Sequence, residues 1–165
     1  MCFIRKAEIT DLPVITEIYN DAILTTIATF DTEPKSLETQ EAWFYAHGPR
    51  YPLIVAEVQG EVVGWASLSR YSDRLAYEKT AEISVYVKDG FRGRGIGRKL
   101  MEEIIARGRA AGLHTILARI TASNVQSIYL HEAFGFQHIG VMREVGRKFG
   151  MLLDVCLMQL IFTQS

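Results

Sequence analysis

The chain carries 165 residues, 48% of them hydrophobic and 22% charged, with a formal net charge of −1. That suits one self-sufficient domain, residues 1–165, and disfavours nucleic acid, whose phosphates select a basic excess. Cys2 and Cys156 lie near opposite ends in no metal-ligand or disulfide pattern, and no apolar run approaches a membrane span or a leader, so a metal-free cytoplasmic protein with no membrane partner is expected.

In chain order, FIRKAEI alternates and predicts a short strand. Thr10 or Asp11 can cap a helix with Pro13 in its first turn, and Leu12, Ile15, Ile18, Tyr19, Ala22 and Ile23 then recur at helical spacing. TIATFDTEP reads as loop, and SLETQEAWFYAHG as a second helix ending near Gly48. PLIVAEV, EVVGWASLSR and TAEISVYV are strand-like, and the QG between the first two predicts an antiparallel hairpin. Leu100, Met101, Ile104, Ile105 and Gly108 trace one face of a further helix that stops at Gly112. TILARI reads as a buried strand, NVQSIYLHEAFG as a short helix, and HIGVMREV and LLDVCLMQLIF as closing strands. The order β-α-α-β-β-β-α-β-α-β-β predicts an α+β fold, a mixed sheet with helices covering it.

Between the fourth strand and the third helix stands RGRGIG, Arg92 to Gly97. Residues without Cβ let a ligand approach the main chain. The helix that follows aims unpaired N–H groups and the positive end of its dipole at the turn, and Arg92, Arg94 and Arg98 add charged donors. A dinucleotide fingerprint starting at Gly93 needs glycine where Arg98 stands, and TILARI runs into Thr121 rather than an acid for a ribose. A nucleotide P-loop ending here needs lysine at 98 and glycine at 92, and has neither. A tight turn with solvated arginines accounts for the same letters without any ligand.

R-x-x-G-x-G after SVYV resembles the acyl-CoA pyrophosphate loop of the GNAT superfamily of N-acetyltransferases. NVQSIYLHEAFGF, Asn124 to Phe136, is similar to that superfamily's second mark. RLAYEKTAEISVYV, GRKFGMLLDVCLMQL, IYNDAI, TFDTEP and WF resemble its phosphinothricin and methionine-sulfoximine acetyltransferase branch. The resemblance covers nearly the whole chain and implies a GNAT-like sheet, acetyl-CoA as co-substrate, a homodimer, and acetylation of the α-amino group of a small amino-acid analogue.

That chemistry needs a base for the amine, donors for an oxyanion and relief for a departing thiolate. Alternation puts Glu82, Ser84 and Tyr86 on one strand face and Ile83, Val85 and Val87 on the other. Glu82 can accept a proton directly or through a water, and the branch places its proposed catalytic glutamate there. His131 stands seven residues after Asn124, where many members of the superfamily carry an acid-donating tyrosine; Tyr129 is the rival donor. A histidine titrates near neutrality, and a thiolate with a reference pKa of about 8.5 leaves passably, so the acid helps without being essential. His47, His114 and His138 belong to no constellation.

The resemblance also implicates the backbone of Val85, Tyr86 and Val87 in holding the pantetheine arm and thioester, with Asn124 bonding the same arm. Gly93, Gly95, Ile96 and Gly97 would hold the diphosphate. For the substrate, Arg74 has the fork to clamp a carboxylate, Tyr77 can close over a small ligand, and Phe30 lies in a loop placed to roof the site. Lys148 fits either a neighbouring subunit or a phosphinyl group. Two other readings are acetylation of protein N-termini or lysines, and a non-catalytic acyl-CoA sensor.

Overall fold

The computed structural model describes residues 1–163. Its elements are β1 (Cys2–Lys6), α1 (Leu12–Thr25), α2 (Leu37–Tyr45), β2 (Leu53–Val58), β3 (Glu61–Arg70), β4 (Thr80–Val87), α3 (Ile96–Ala110), β5 (Thr115–Thr121), α4 (Val125–Ala133), β6 (Gln137–Lys148) and β7 (Met151–Ile161). The order is the expected one, with single 3-10 turns added at Ile9–Asp11 and Leu75–Tyr77. Seven strands form one sheet, β1-β2-β3-β4-β5-β7-β6, antiparallel at every step except β4–β5.

Local chemistry sets the element ends. Ser36 caps α2 by accepting from the Thr39 amide at 3.2 Å. Asp11 occupies the capping position of α1, but its carboxylate does something else. It accepts from the Glu8 amide and from both terminal nitrogens of Arg5, all within 2.9 Å, and so ties β1 to the start of α1. Gln59 and Gly60, at φ 51° and 80°, make the two-residue left-handed turn that joins β2 to β3, and Phe149 and Gly150 repeat it between β6 and β7.

Helices cover both sheet faces. On one, α3 buries Ile96, Leu100, Met101 and Ile104 against Ala66, Leu68, Ile83 and Ile116. Gly108 is bare where a Cβ would meet Leu68 Cδ1 at 2.5 Å, so this helix lies close on β3. On the other face, Ile15 and Ile18 of α1 pack with Val55 and Trp65, under Trp43 and Phe44 of α2. Each fully buried Leu or Ile contributes about 1.5–3 kcal/mol by leaving water.

Two features of the sheet shape the site. The parallel ladder between β4 and β5 stops at Glu82↔Leu117. From Ile83 to Val87, β4 is paired on its β3 side only, so the backbone groups on its other edge face a gap. In β6, the register slips between Met142 and Gly146, with Glu144 at φ 52°. That bulge turns Met142 and Val145 toward the gap. The strand runs on to Lys148, three residues past HIGVMREV, and Ile139, Val141 and Val145 stand more than half exposed.

Candidate active site

The gap opens into a cleft of about 1090 Å³. One wall is the freed edge of β4, another the glycine turn, a third the N-terminal half of α4, and the roof is the loop after α1. Among the described residues no three or more His, Cys, Asp or Glu gather as a metal group.

In the turn, Gly93 and Gly95 have φ of 77° and 81°, the left-handed region where a Cβ costs about 1–2 kcal/mol. No atom lies within 4 Å of a Cβ built at either position, so backbone conformation, not crowding, calls for glycine there. Gly95 caps α3 and its carbonyl accepts from Lys99 at 3.1 Å. The amides of Ile96, Gly97 and Arg98 therefore precede the helix's own bonding and remain available to an anion. Arg92 braces the turn through Nε, donating to the Val87 carbonyl at 3.1 Å. Arg94 and Arg98 stack on Phe91 and Phe134, with guanidinium carbons 5.0 and 5.2 Å from the ring centres.

Of the residues expected to hold the co-substrate, Val85, Tyr86, Val87, Arg92, Gly93, Ile96, Gly97 and Asn124 line the cleft, whereas Arg94, Gly95 and Arg98 do not. Asn124 caps α4 by accepting from the Ser127 amide at 3.2 Å, which points the start of that helix into the cleft. This open, amide-rich concavity with cationic edges fits the diphosphate and extended arm of an acyl coenzyme.

Glu82 lies on the predicted face of β4 and lines the cleft with its side chain 24% exposed. Both its oxygens are engaged. Arg119 Nε reaches Oε2 and Nη2 reaches Oε1, each at 2.7 Å. The carboxylate raises the pKa of the guanidinium, chiefly through this hydrogen bonding. Sequence reasoning missed Arg119. Its signal was an arginine in an otherwise apolar strand, in step with Leu117 and out of step with the buried Ile116, Ala118 and Ile120.

Ser69 pairs with Glu82 across β3 and β4 and also lines the cleft. Its hydroxyl lies 2.9 Å from Nε2 of His47, whose Nδ1 lies 2.8 Å from the Trp43 carbonyl. A carbonyl only accepts, so Nδ1 donates and Nε2 accepts a hydrogen bond from the serine hydroxyl. Burial lowers the His47 pKa and keeps the ring neutral. The absence of any expected constellation around His47 is thus corrected: the chain brings Ser69 to it from 22 residues away.

His131 is 6% exposed, lines the cleft and packs edge-on against Phe136. Its Nδ1 donates to the Ser127 carbonyl at 2.7 Å. Burial lowers its pKa against the opposing pull of that bond. The resting ring is therefore neutral, with Nε2 an acceptor. Tyr129 is 76% exposed and does not line the cleft.

Phe30 does roof the site, its ring lying over Gly146, where a Cβ would collide with it. The roof loop is pinned twice: Thr121 Oγ1 donates to the Ile27 carbonyl at 2.6 Å, and Lys148 Nζ to the Thr29 carbonyl at 2.8 Å. Lys148 is 4% exposed, and burial lowers its pKa. It holds its own chain's loop, neither of the two roles expected of it. Tyr19 also holds this loop, through Thr29 and Asp31. Arg74 and Tyr77 sit exposed around the 3-10 turn beyond β3, outside the cleft lining.

A mixed sheet split beside a glycine turn, with a carboxylate and a neutral histidine across the gap, defines a coenzyme-dependent acyltransferase. Residues 15–136 match the family described as Acetyltransferase (GNAT) family, and the chain belongs to it. It is an acetyl-CoA-dependent N-acetyltransferase. It is 44% identical to an L-methionine sulfoximine/L-methionine sulfone acetyltransferase of Pseudomonas paraeruginosa, over 95% of this chain and 92% of that one. A GNAT superfamily phosphinothricin acetyltransferase of Sinorhizobium meliloti, solved with acetyl-CoA, superposes with a TM-score of 0.93 at 36% identity, covering 97% of this chain and 88% of that one. A ribosomal-protein-alanine N-acetyltransferase of Brucella melitensis superposes with a TM-score of 0.93 at 39% identity, covering 97% and 99%.

Proposed function

We propose that the chain moves the acetyl group of acetyl-CoA to the α-amino group of a small amino-acid-like substrate such as methionine sulfoximine, methionine sulfone or phosphinothricin. Transfer is direct, through a tetrahedral intermediate. The observation that carries this is Glu82 and His131 lining one cleft, beside the freed edge of β4 that leads from the glycine turn. The names of the relatives supply the substrate class.

Acetyl-CoA brings an activated thioester carbonyl; the remaining work falls to groups of the chain. An ammonium becomes a nucleophile only after losing a proton, and a Glu82 oxygen accepts it. Backbone amides on the open edge of β4 donate to the oxyanion. The nitrogen bonded to carbon still carries an extra proton. Nε2 of His131 takes that proton and returns it to the sulfur as the carbon–sulfur bond breaks. The products are an amide and a free thiol, with one proton left on Glu82 for water to remove. His131 thus acts as acceptor first and donor second.

The exposed apolar pair Ile139 and Val141 of β6 supports a homodimer through this strand. Val141→Asp is expected to give a monomer by sedimentation where the wild type gives a dimer. The free thiols of Cys2 and Cys156 fit a reducing cytoplasm.

The Brucella relative's name favours a second reading, acetylation of a protein N-terminus. Thiol release measured over free amino acids, their sulfoximine, sulfone and phosphinyl analogues, and peptides separates the two. Turnover of the analogues without peptides supports the first reading; turnover confined to peptides sinks it.

A further inference from the structure

The proposed base is engaged before any substrate arrives. Each Glu82 oxygen already accepts a 2.7 Å bond from Arg119. A carboxylate held in such a fork meets an incoming amine with its best-placed lone pairs occupied. The fork is also accessible: the Arg119 side chain is 60% exposed and both partners line the cleft.

An α-amino acid presents the same two charges at short separation. Its carboxylate matches a guanidinium fork, and its ammonium matches a carboxylate. Laid across the pair, it exchanges one ion pair for two and leaves no charge unpartnered. A simple amine cannot do this. To reach Glu82 it must displace Arg119 without offering the guanidinium another anion.

We propose that Arg119 makes Glu82 available as a base only to amines that bring their own carboxylate. The substrate's carboxylate draws the guanidinium away, and the freed Glu82 oxygen takes a proton from the adjacent ammonium. Arg119 thereby selects α-amino acids. This rests on the proposed acetylation of small amino acids and names the device that enforces it. An exposed ion pair of no functional consequence is the alternative, since such pairs contribute little to stability.

The test compares L-methionine sulfoximine with its decarboxylated amine in a thiol-release assay, using wild type, Arg119→Gln and Arg119→Lys. Wild type is expected to prefer the acid by about 10–100-fold in kcat/KM, the worth of a charge-assisted hydrogen bond. In Arg119→Gln that preference collapses, because the acid loses its clamp and the amine no longer faces a blocked base; Arg119→Lys recovers part of it. Acetyl-CoA binding by calorimetry shows whether each variant is folded. A wild type that turns over the amine as well as the acid overturns the inference without any variant. A preference that survives intact in Arg119→Gln overturns it alone, leaving the proposed function standing. A wild type inactive on both compounds overturns the proposed function and this inference together.

Discussion

Nδ1 of His131 lies 2.7 Å from the carbonyl oxygen of Ser127, one turn earlier in α4. Because that oxygen can only accept, the bond sets the tautomer and leaves Nε2 as a lone pair. Burial lowers the ring's pKa as well. A histidine so placed works while neutral. The acid limb of kcat is therefore expected to fall below the ordinary histidine value of about 6.5. His131→Gln is expected to reduce kcat by about 10², toward the lower end for proton-transfer groups, because a thiolate already leaves passably. A pH–rate profile checks both; an unchanged profile in the variant removes His131 from the chemistry.

Glu82→Gln keeps the shape of the side chain but cannot take a proton. The expectation is a loss of about 10²–10⁴-fold in turnover, with acetyl-CoA binding retained, since Glu82 lies apart from the glycine turn. Full turnover in this variant excludes Glu82 as the base.

The glycines of the turn should separate by cause. Gly95 has φ 81°, so Gly95→Ala strains the start of α3 and is expected to cost about 1–2 kcal/mol of stability along with acetyl-CoA affinity. Gly97 lies in the helix without positive φ, and a Cβ there meets only Val87 and Leu130 at 3.8 and 3.9 Å, ordinary contact. Gly97→Ala is expected to keep or raise Tm while weakening acetyl-CoA, because the methyl stands where the diphosphate approaches. Thermal melts beside calorimetry distinguish a folding defect from a binding one.

Phe30 owes its position to Gly146, whose bare Cα lies beneath the ring. Gly146→Ala should tip the ring off the cleft and raise KM for the amine several-fold, with the overpacking costing about 1–3 kcal/mol of stability. KM for acetyl-CoA should hardly move. Equal changes in both constants contradict a roof that serves the amine alone.

Stability should fall on mild acidification. His47 and His131 both have pKa values lowered by burial, so the unfolded chain binds protons first as pH drops. Unfolding free energy should be level above about 6.5, the unfolded value, and decline as pH falls toward the two folded values. Loss from the Asp11–Arg5 pair comes lower, because Asp11 titrates below its ordinary carboxylate value. Denaturant melts from pH 7.5 to 5 check this, and His47→Gln with His131→Gln should flatten the slope.

Sequence alone determined the element order, the amphipathic faces of α1 and α3, the β2–β3 hairpin and the position of the glycine turn. These follow from periodicity and turn chemistry, which act over a few residues. It also placed Glu82 on the correct face of β4, since alternation along a strand is equally local. Only the tertiary structure decided which groups meet across elements. Arg119 reaches Glu82 over 37 residues, Ser69 reaches His47 over 22, and Lys148 reaches the Thr29 carbonyl over 119. The acceptor tautomer of His131 and the placement of Arg74 and Tyr77 outside the cleft were equally hidden. A side chain's partner depends on where distant strands stop pairing, and no local pattern records that β4 and β5 part at Glu82.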